Sequence, residues 1–329
     1  VTAPTALAAN APVDPGPLDA RLAEAGYFAA SSLATALRLA LALERPLLLE
    51  GPAGVGKTEL ARAAATVLGR PLLRLSCYEG LDESRALFEW DYAKQILYTQ
   101  LLSNTVTRAI ELANEGAPSS AGPGGAAARS LGAAIDTVAT LETAFFSERF
   151  LLSRPLLSAI RAPSPVVLLI DEVDRADPEF EALLLEVLAD NAITVPELGT
   201  FRAVAPPLVV LTTNGTRELT DALRRRCLHA LVDYPEPSRE LAIVRARVPG
   251  IEAALADRLV DLVRKLRGLD LRKAPSIAET IEWARALVVL GASALDEEIA
   301  QATLGVVLKH GEDREKAAAK LSVLLAPGR

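Results

Sequence analysis

The chain has 329 residues, half of them apolar and 23% charged, enough for a sizeable core and long enough for two domains or one domain with a lid. A net charge of −7 and a pI near 5.2 argue against a general nucleic-acid binder, which carries a basic excess. Two cysteines, Cys77 and Cys227, cannot build a disulfide framework and point to a reducing compartment, and the two histidines, His229 and His310, lack metal-ligand spacing.

Residues 1–17 are rich in Ala and Pro without periodicity and are expected to form a flexible tail. No uncharged apolar run reaches the length of a membrane span, and a basic n-region followed by an apolar h-region is missing at the start, so a cytoplasmic location is expected. From Leu18 to Leu43 apolar residues recur at helical spacing. Pro46-Leu47-Leu48-Leu49 is a short apolar run that ends at Glu50-Gly51 and reads as a buried strand, followed by a helix over Thr58–Leu68 that stops at Gly69. Pro71–Leu75 reads as a second buried strand, and Asp82–Leu102 as helix in pieces carrying Phe88, Trp90, Tyr92 and Tyr98. Between about 113 and 134 the composition turns to Ala, Gly, Pro and Ser, the mark of a flexible insertion.

Val166–Ile170 is a wholly apolar strand, with a helix expected over 178–189 and a hairpin over Ile193–Ala203 around Pro196 and Gly199. Leu208–Leu211 and Ala230–Tyr234 read as further strands. Beyond Pro235-Glu236-Pro237 only helical patterns remain, near 239–247, 252–267, 277–290, 297–309 and 314–325. Apolar strands alternating with helices predict an α/β fold with a parallel sheet covered on both faces. The expected division is a tail (1–17), an α/β core (18–235) and an all-α lid (236–329).

Gly51-Pro52-Ala53-Gly54-Val55-Gly56-Lys57-Thr58 matches G-x-x-x-x-G-K-[ST], between a predicted strand and a predicted helix. Glycines let backbone N–H groups approach phosphates, and the helix presents its positive N-terminus to them. Lys57 is then expected to reach the β- and γ-phosphates of ATP, and the Thr58 hydroxyl to bind Mg²⁺. The strand at 166–170 delivers Asp171 and Glu172 at its C-terminal end, where ligands of parallel sheets sit. Asp171 suits the Mg²⁺ shell and Glu172 the polarising of an attacking water; read alone, two acids could merely end a strand. Asn214 ends another strand and could orient that water, although an Asn before Gly215 is also an ordinary turn, which read alone is the simpler account. Arg224-Arg225-Arg226 reads either as a solvated basic face or as the source of a charge for a phosphate in a neighbouring subunit, and spacing does not decide.

In this order the pieces resemble the AAA+ superfamily: Gly51–Thr58 as Walker A, Asp171-Glu172 as Walker B, Asn214 as sensor 1, and Arg226 before Cys227 as the arginine finger. Asp171-Glu172-Val173-Asp174-Arg175-Ala176, Leu184-Leu185-Glu186-Val187-Leu188 and Ile193-Thr194-Val195-Pro196 resemble the MoxR branch. Cys77-Tyr78-Glu79-Gly80-Leu81-Asp82, Leu87-Phe88-Glu89-Trp90-Asp91-Tyr92 and Pro196-Glu197-Leu198-Gly199-Thr200 are similar to CoxD-like ATPases linked to carbon-monoxide dehydrogenase maturation.

The resemblance implies a P-loop core with a five-stranded parallel sheet and a helical lid. It also implies a hexameric ring with ATP and Mg²⁺ between subunits, a partner with a von Willebrand A domain, and a metalloenzyme client. Arg226 would complete the neighbour's site. The lid departs from the branch: Arg272-Lys273-Ala274-Pro275-Ser276-Ile277 stands where a sensor-2 Arg is expected, leaving Arg272, Lys273 or a weakly sensing lid. The competing class is an ATP-dependent nucleic-acid machine of the clamp-loader or branch-migration type, against which the acidic charge weighs. A third reading, a scaffold that binds ATP without hydrolysing it, fits poorly with an intact Lys57, Asp171 and Glu172.

Overall fold

The computed structural model describes residues 18–100 and 146–326; the expected tail at 1–17 and the Ala/Gly insertion lie outside the described residues. Five short apolar runs form one parallel sheet in the order β2-β5-β8-β1-β9. They are β1 (Leu47–Glu50), β2 (Leu72–Ser76), β5 (Val167–Asp171), β8 (Leu208–Thr213) and β9 (Leu228–Leu231). The three central strands are apolar on both faces because helices cover both sides. Leu47, Leu49, Val167, Leu169 and Val210 pack with the helices Ser31–Leu43 and Lys57–Leu68. Leu48, Leu168, Ile170 and Leu211 turn the other way, towards the helices Pro155–Ile160 and Pro178–Asp190.

Several expectations shift at the edges of this sheet. The run at 71–75 is an edge strand, and within β2 only Leu75 is buried. The last strand begins at Leu228, because its pairing starts where the Leu228 N–H donates to the Pro46 carbonyl, and the chain has left the sheet by Tyr234. Within 82–102 the helical reading fails at β3 (Phe88–Trp90), which pairs antiparallel with β4 (Leu151–Ser153), a partner far away in sequence. Trp90 is buried there, edge-on to Phe88 and Phe146. A helix over 92–100 follows. The expected hairpin is formed by β6 (Ala192–Val195) and β7 (Gly199–Arg202).

From Pro237 onward the elements among the described residues are helices: Pro237–Arg247, Ala253–Arg267, Ile277–Val289, Glu297–Val307, Gly311–Ala318 and Leu321–Leu325. The segment 314–325, expected as one helix, is thus broken into two near Ala319 and Lys320. These helices bury their own cluster around Leu259, Val263, Leu266, Trp283, Leu287 and Leu304. Trp283 is fully buried and gives its indole N–H to the Thr303 hydroxyl at 2.8 Å.

Candidate nucleotide site

Gly51–Gly56 turns from the C-terminal end of β1 into the helix Lys57–Leu68, and only glycine fits at its bends. A Cβ on Gly51 would lie 1.9 Å from the Val232 carbonyl oxygen. Gly54 has φ +77°, and a Cβ there would lie 2.3 Å from the Ser276 hydroxyl, so the loop presses against the lid helices. Lys57 is buried, and its ammonium donates to the carbonyls of Gly51 and Pro52, both at 2.7 Å, and to Asn214 Oδ1 at 2.9 Å. Burial pulls its pKa below the ordinary lysine value, countered by the carboxylates of Asp174, Asp171 and Glu172.

Thr58, one residue into the helix, donates its hydroxyl to Asp171 Oδ1 at 2.9 Å. Asp171 ends β5 and is almost wholly buried; Oδ1 also accepts from the Thr212 hydroxyl at 2.7 Å, and Oδ2 accepts from Arg74 Nη2 at 2.6 Å. A hydroxyl and a carboxylate held side by side are hard oxygen donors that fit Mg²⁺. Glu172 adopts the left-handed region (φ 57°), a conformation a non-glycine residue holds only where its surroundings enforce it. Its N–H is tied to the Thr212 hydroxyl at 2.9 Å, while its carboxylate meets Asn214 Nδ2 at 3.3 Å and Arg175 at 3.1 Å. Asn214 therefore bridges Lys57 and Glu172.

Asp174 fixes the loop that carries Asn214. Its Oδ2 accepts from the N–H groups of Asn214 (3.2 Å) and Thr216 (3.0 Å) and from the Thr216 hydroxyl (2.6 Å), while its buried Oδ1 has no partner among the described residues. Burial raises the Asp174 pKa, but the hydrogen bonds led by Thr216 outweigh burial and hold it below the ordinary value. Cys77 lies at the end of β2 with its N–H on the Asp171 carbonyl, and burial pushes its thiol up to about 12, so it behaves as a small buried apolar group.

The structure thus brings Gly51, Pro52, Ala53, Gly54, Val55, Gly56, Lys57, Thr58, Asp171, Glu172 and Asn214 to one end of the sheet. Arg226 is elsewhere. It ends the helix Asp221–Arg226 and precedes β9, whose first residue pairs with the first residue of β1, so it lies at the opposite end of the sheet from the P-loop. Arg45 holds it there by donating to the carbonyls of Arg225 (2.6 Å) and Arg226 (3.2 Å), and its own side chain is exposed. Of the three arginines, Arg224 turns to Glu50, at 4.0 Å, beside the His229–Glu50 contact.

A cavity of about 330 Å³ opens beside the P-loop, lined by Tyr27, Val55, Val232 and Ile281 and by Arg239, Arg247 and Arg285. Arg272 and Lys273 do not line it: Asp313 binds both of their backbone N–H groups, and the Lys273 ammonium goes to Glu279. The residues that sequence reasoning passed over are Arg74 and Thr212 at the Asp171 carboxylate and Ser276 against Gly54. A charge inside the apolar run Leu72-Leu73-Arg74-Leu75 was the available signal for the first.

The chain is similar to the gas vesicle ATPase GvpN of Ancylobacter aquaticus, 27% identical over 257 residues, covering 75% of this chain and 61% of that protein's length. It is also similar to protein NorQ of Paracoccus denitrificans, 27% identical over 237 residues, covering 70% of this chain and 67% of that protein. Among solved structures a RuvB variant from Thermotoga maritima matches at 18% identity and a TM-score of 0.43, covering 84% of this chain and 67% of that one, a likeness too loose to bear on function. A family profile described as AAA domain (dynein-related subfamily) matches residues 46–227, more than half of the chain, and the chain belongs to that family.

Proposed function

We propose that this protein is an AAA+ ATPase of the MoxR branch that hydrolyses ATP to remodel a partner protein. The observation that carries this reading is the hydrogen-bonded chain Lys57–Asn214–Glu172 beside the Thr58–Asp171 pair. In this reading the backbone N–H groups of Gly51–Thr58 cradle the phosphates, and Lys57 leaves its carbonyl partners for the β- and γ-oxygens. Thr58 and Asp171 hold Mg²⁺, which supplies neutralisation of the phosphate charge. Glu172 takes the proton of the attacking water, and Asn214 keeps the carboxylate oriented. Arg226, at the far end of its own sheet, serves the site of the next subunit in a hexameric ring.

We place the junction between the ATPase core (18–235) and the lid (236–329) at Pro235–Pro237, where sheet gives way to a helical cluster of its own. The client reading is maturation of a metalloenzyme such as a molybdenum-type carbon-monoxide dehydrogenase, with a von Willebrand A domain partner, in the cytoplasm. Support for it comes from the CoxD-like motifs at 77–82 and 87–92. The relative named gas vesicle ATPase supports the ATPase half.

The test is ATP turnover per chain against protein concentration. Turnover is expected to rise with concentration, and Glu172→Gln and Arg226→Ala are each expected to lose about 100-fold or more while retaining nucleotide binding. Mixing the two variants should restore turnover, because the intact Glu172 of one chain then meets the intact Arg226 of another. Full activity of Arg226→Ala alone, with no gain on mixing, would refute the role between subunits.

A further inference from the structure

Arg74 is a charged residue on an edge strand whose neighbours are Leu73 and Leu75, and among the described residues its guanidinium bonds one group. Arg74 pairs with Leu169, and Ser76 with Asp171, so Arg74 shares a sheet face with Asp171 and with the P-loop helix. From there it bonds Asp171 Oδ2 at 2.6 Å, the ion pair Asp171 makes among the described residues. The other carboxylate oxygen is already taken by the Thr58 and Thr212 hydroxyls.

A divalent cation held through Thr58 and Asp171 draws on the same negative charge that Arg74 neutralises. The two partners differ in what leaving costs them. The Arg74 side chain is 45% exposed and can turn into water, whereas the Asp171 side chain is 6% exposed and cannot follow it. We propose that Arg74 is a positioning residue that competes with the divalent cation for Asp171, so that loading metal with nucleotide displaces the guanidinium from the carboxylate. This rests on the nucleotide-site reading above. Arg74 thereby sets how much Mg²⁺ the site needs and keeps Asp171 oriented until the metal takes it over.

The experiment is a Mg²⁺ titration of the binding of a fluorescent, slowly hydrolysed ATP analogue to the full chain, read as anisotropy. Arg74→Gln should lower the half-saturating Mg²⁺ by about fivefold, the worth of a half-exposed ion pair. Arg74→Lys, which keeps the charge, should stay within about twofold of the unaltered protein. Affinity for the analogue in EDTA should be the same for all three, which a merely structural role would not predict. An unchanged or raised Mg²⁺ midpoint in Arg74→Gln, or an equal drop in Arg74→Lys, overturns the competition. If the unaltered protein shows no Mg²⁺-dependent binding at all, the nucleotide-site reading fails first and takes the proposal with it.

Discussion

Replacing Arg267 should destabilise the lid as much as truncating a large buried core residue there. Its guanidinium makes paired bonds of 2.6 and 2.7 Å to the Glu240 carboxylate, donates through Nε to the Pro275 carbonyl at 2.7 Å and lies 4.6 Å from the Tyr234 ring centroid. Glu240 is only 1% exposed and Arg267 12%. Arg267→Ala strands that carboxylate with the Thr280 hydroxyl as its remaining hydrogen-bond donor among the described residues. Breaking one side of a buried ion pair costs about 3–5 kcal/mol, and the ring contact adds about 0.5–1 kcal/mol. A loss of about 4 kcal/mol is expected, since the two effects share one side chain and do not simply add. Glu240→Leu combined with Arg267→Met removes both charges and should recover to within about 1 kcal/mol of the unaltered protein. The assay is urea unfolding followed by Trp283 fluorescence in a Trp90→Phe background, which leaves a lone tryptophan inside the lid cluster. A loss below about 1 kcal/mol in Arg267→Ala, or a double variant worse than either single change, would refute this account of the buried pair.

Gly54→Ala places a methyl group on the Ser276 hydroxyl and in a left-handed conformation, so it should lower the unfolding midpoint by the equivalent of about 1–2 kcal/mol and weaken nucleotide binding at least tenfold. Isothermal calorimetry with ATP checks this, and unchanged affinity would show that the lid yields freely. Asp174→Asn should cost about 1–2 kcal/mol near neutral pH, because a neutral amide accepts less strongly from Asn214 and Thr216. The Asp174 pKa is held below its ordinary 3.8, so its contribution is complete above that value and disappears as the pH falls through the lower folded value. The gap between the two proteins in thermal midpoint should therefore close in the acid range below about pH 4, and a gap constant with pH would refute the role of the charge.

What could be read from the sequence was whatever is local along the chain. The P-loop is eight consecutive residues, and Asp171-Glu172 follows a wholly apolar run, so chemistry and context lie within one window. The central strands β5 and β8 are buried on both faces and announce themselves as apolar runs. Edges do not. β2 and β9 have one neighbour each, so most of their residues are only partly buried and their limits follow from pairing rather than composition. β3 has three residues and a partner some sixty positions later, a contact no periodicity reveals. The second rank of the site has the same character. Arg74 and Asp171 are 97 positions apart and Thr212 and Asp171 are 41 apart, and each reaches the carboxylate only through strand order.

The lid touches the P-loop directly, which gives the protein a short route from phosphate binding to shape change. The Ala278 N–H donates to the Gly54 carbonyl at 3.3 Å, the Ser276 hydroxyl closes over Gly54, and Arg247 meets Glu59 in the first turn of the P-loop helix at 2.9 Å. Ser276 is also the N-cap of the helix Ile277–Val289, in a capping box with Glu279, so the residue that senses the loop is rigidly joined to a helix. Arg267 ties the Pro275 carbonyl, one residue earlier, to Glu240 on the first lid helix and to Tyr234 at the junction. A shift of the P-loop is therefore passed on at Gly54, where the loop backbone is hydrogen-bonded to Ala278 and leaves no room for a side chain against Ser276. The contacts lead from there to the helix Ile277–Val289 and, through Arg267, to the junction itself. Arg272 makes none of these links, whereas the Lys273 ammonium reaches Glu279, the capping-box partner of Ser276, and so braces the contact at Gly54 from the lid side.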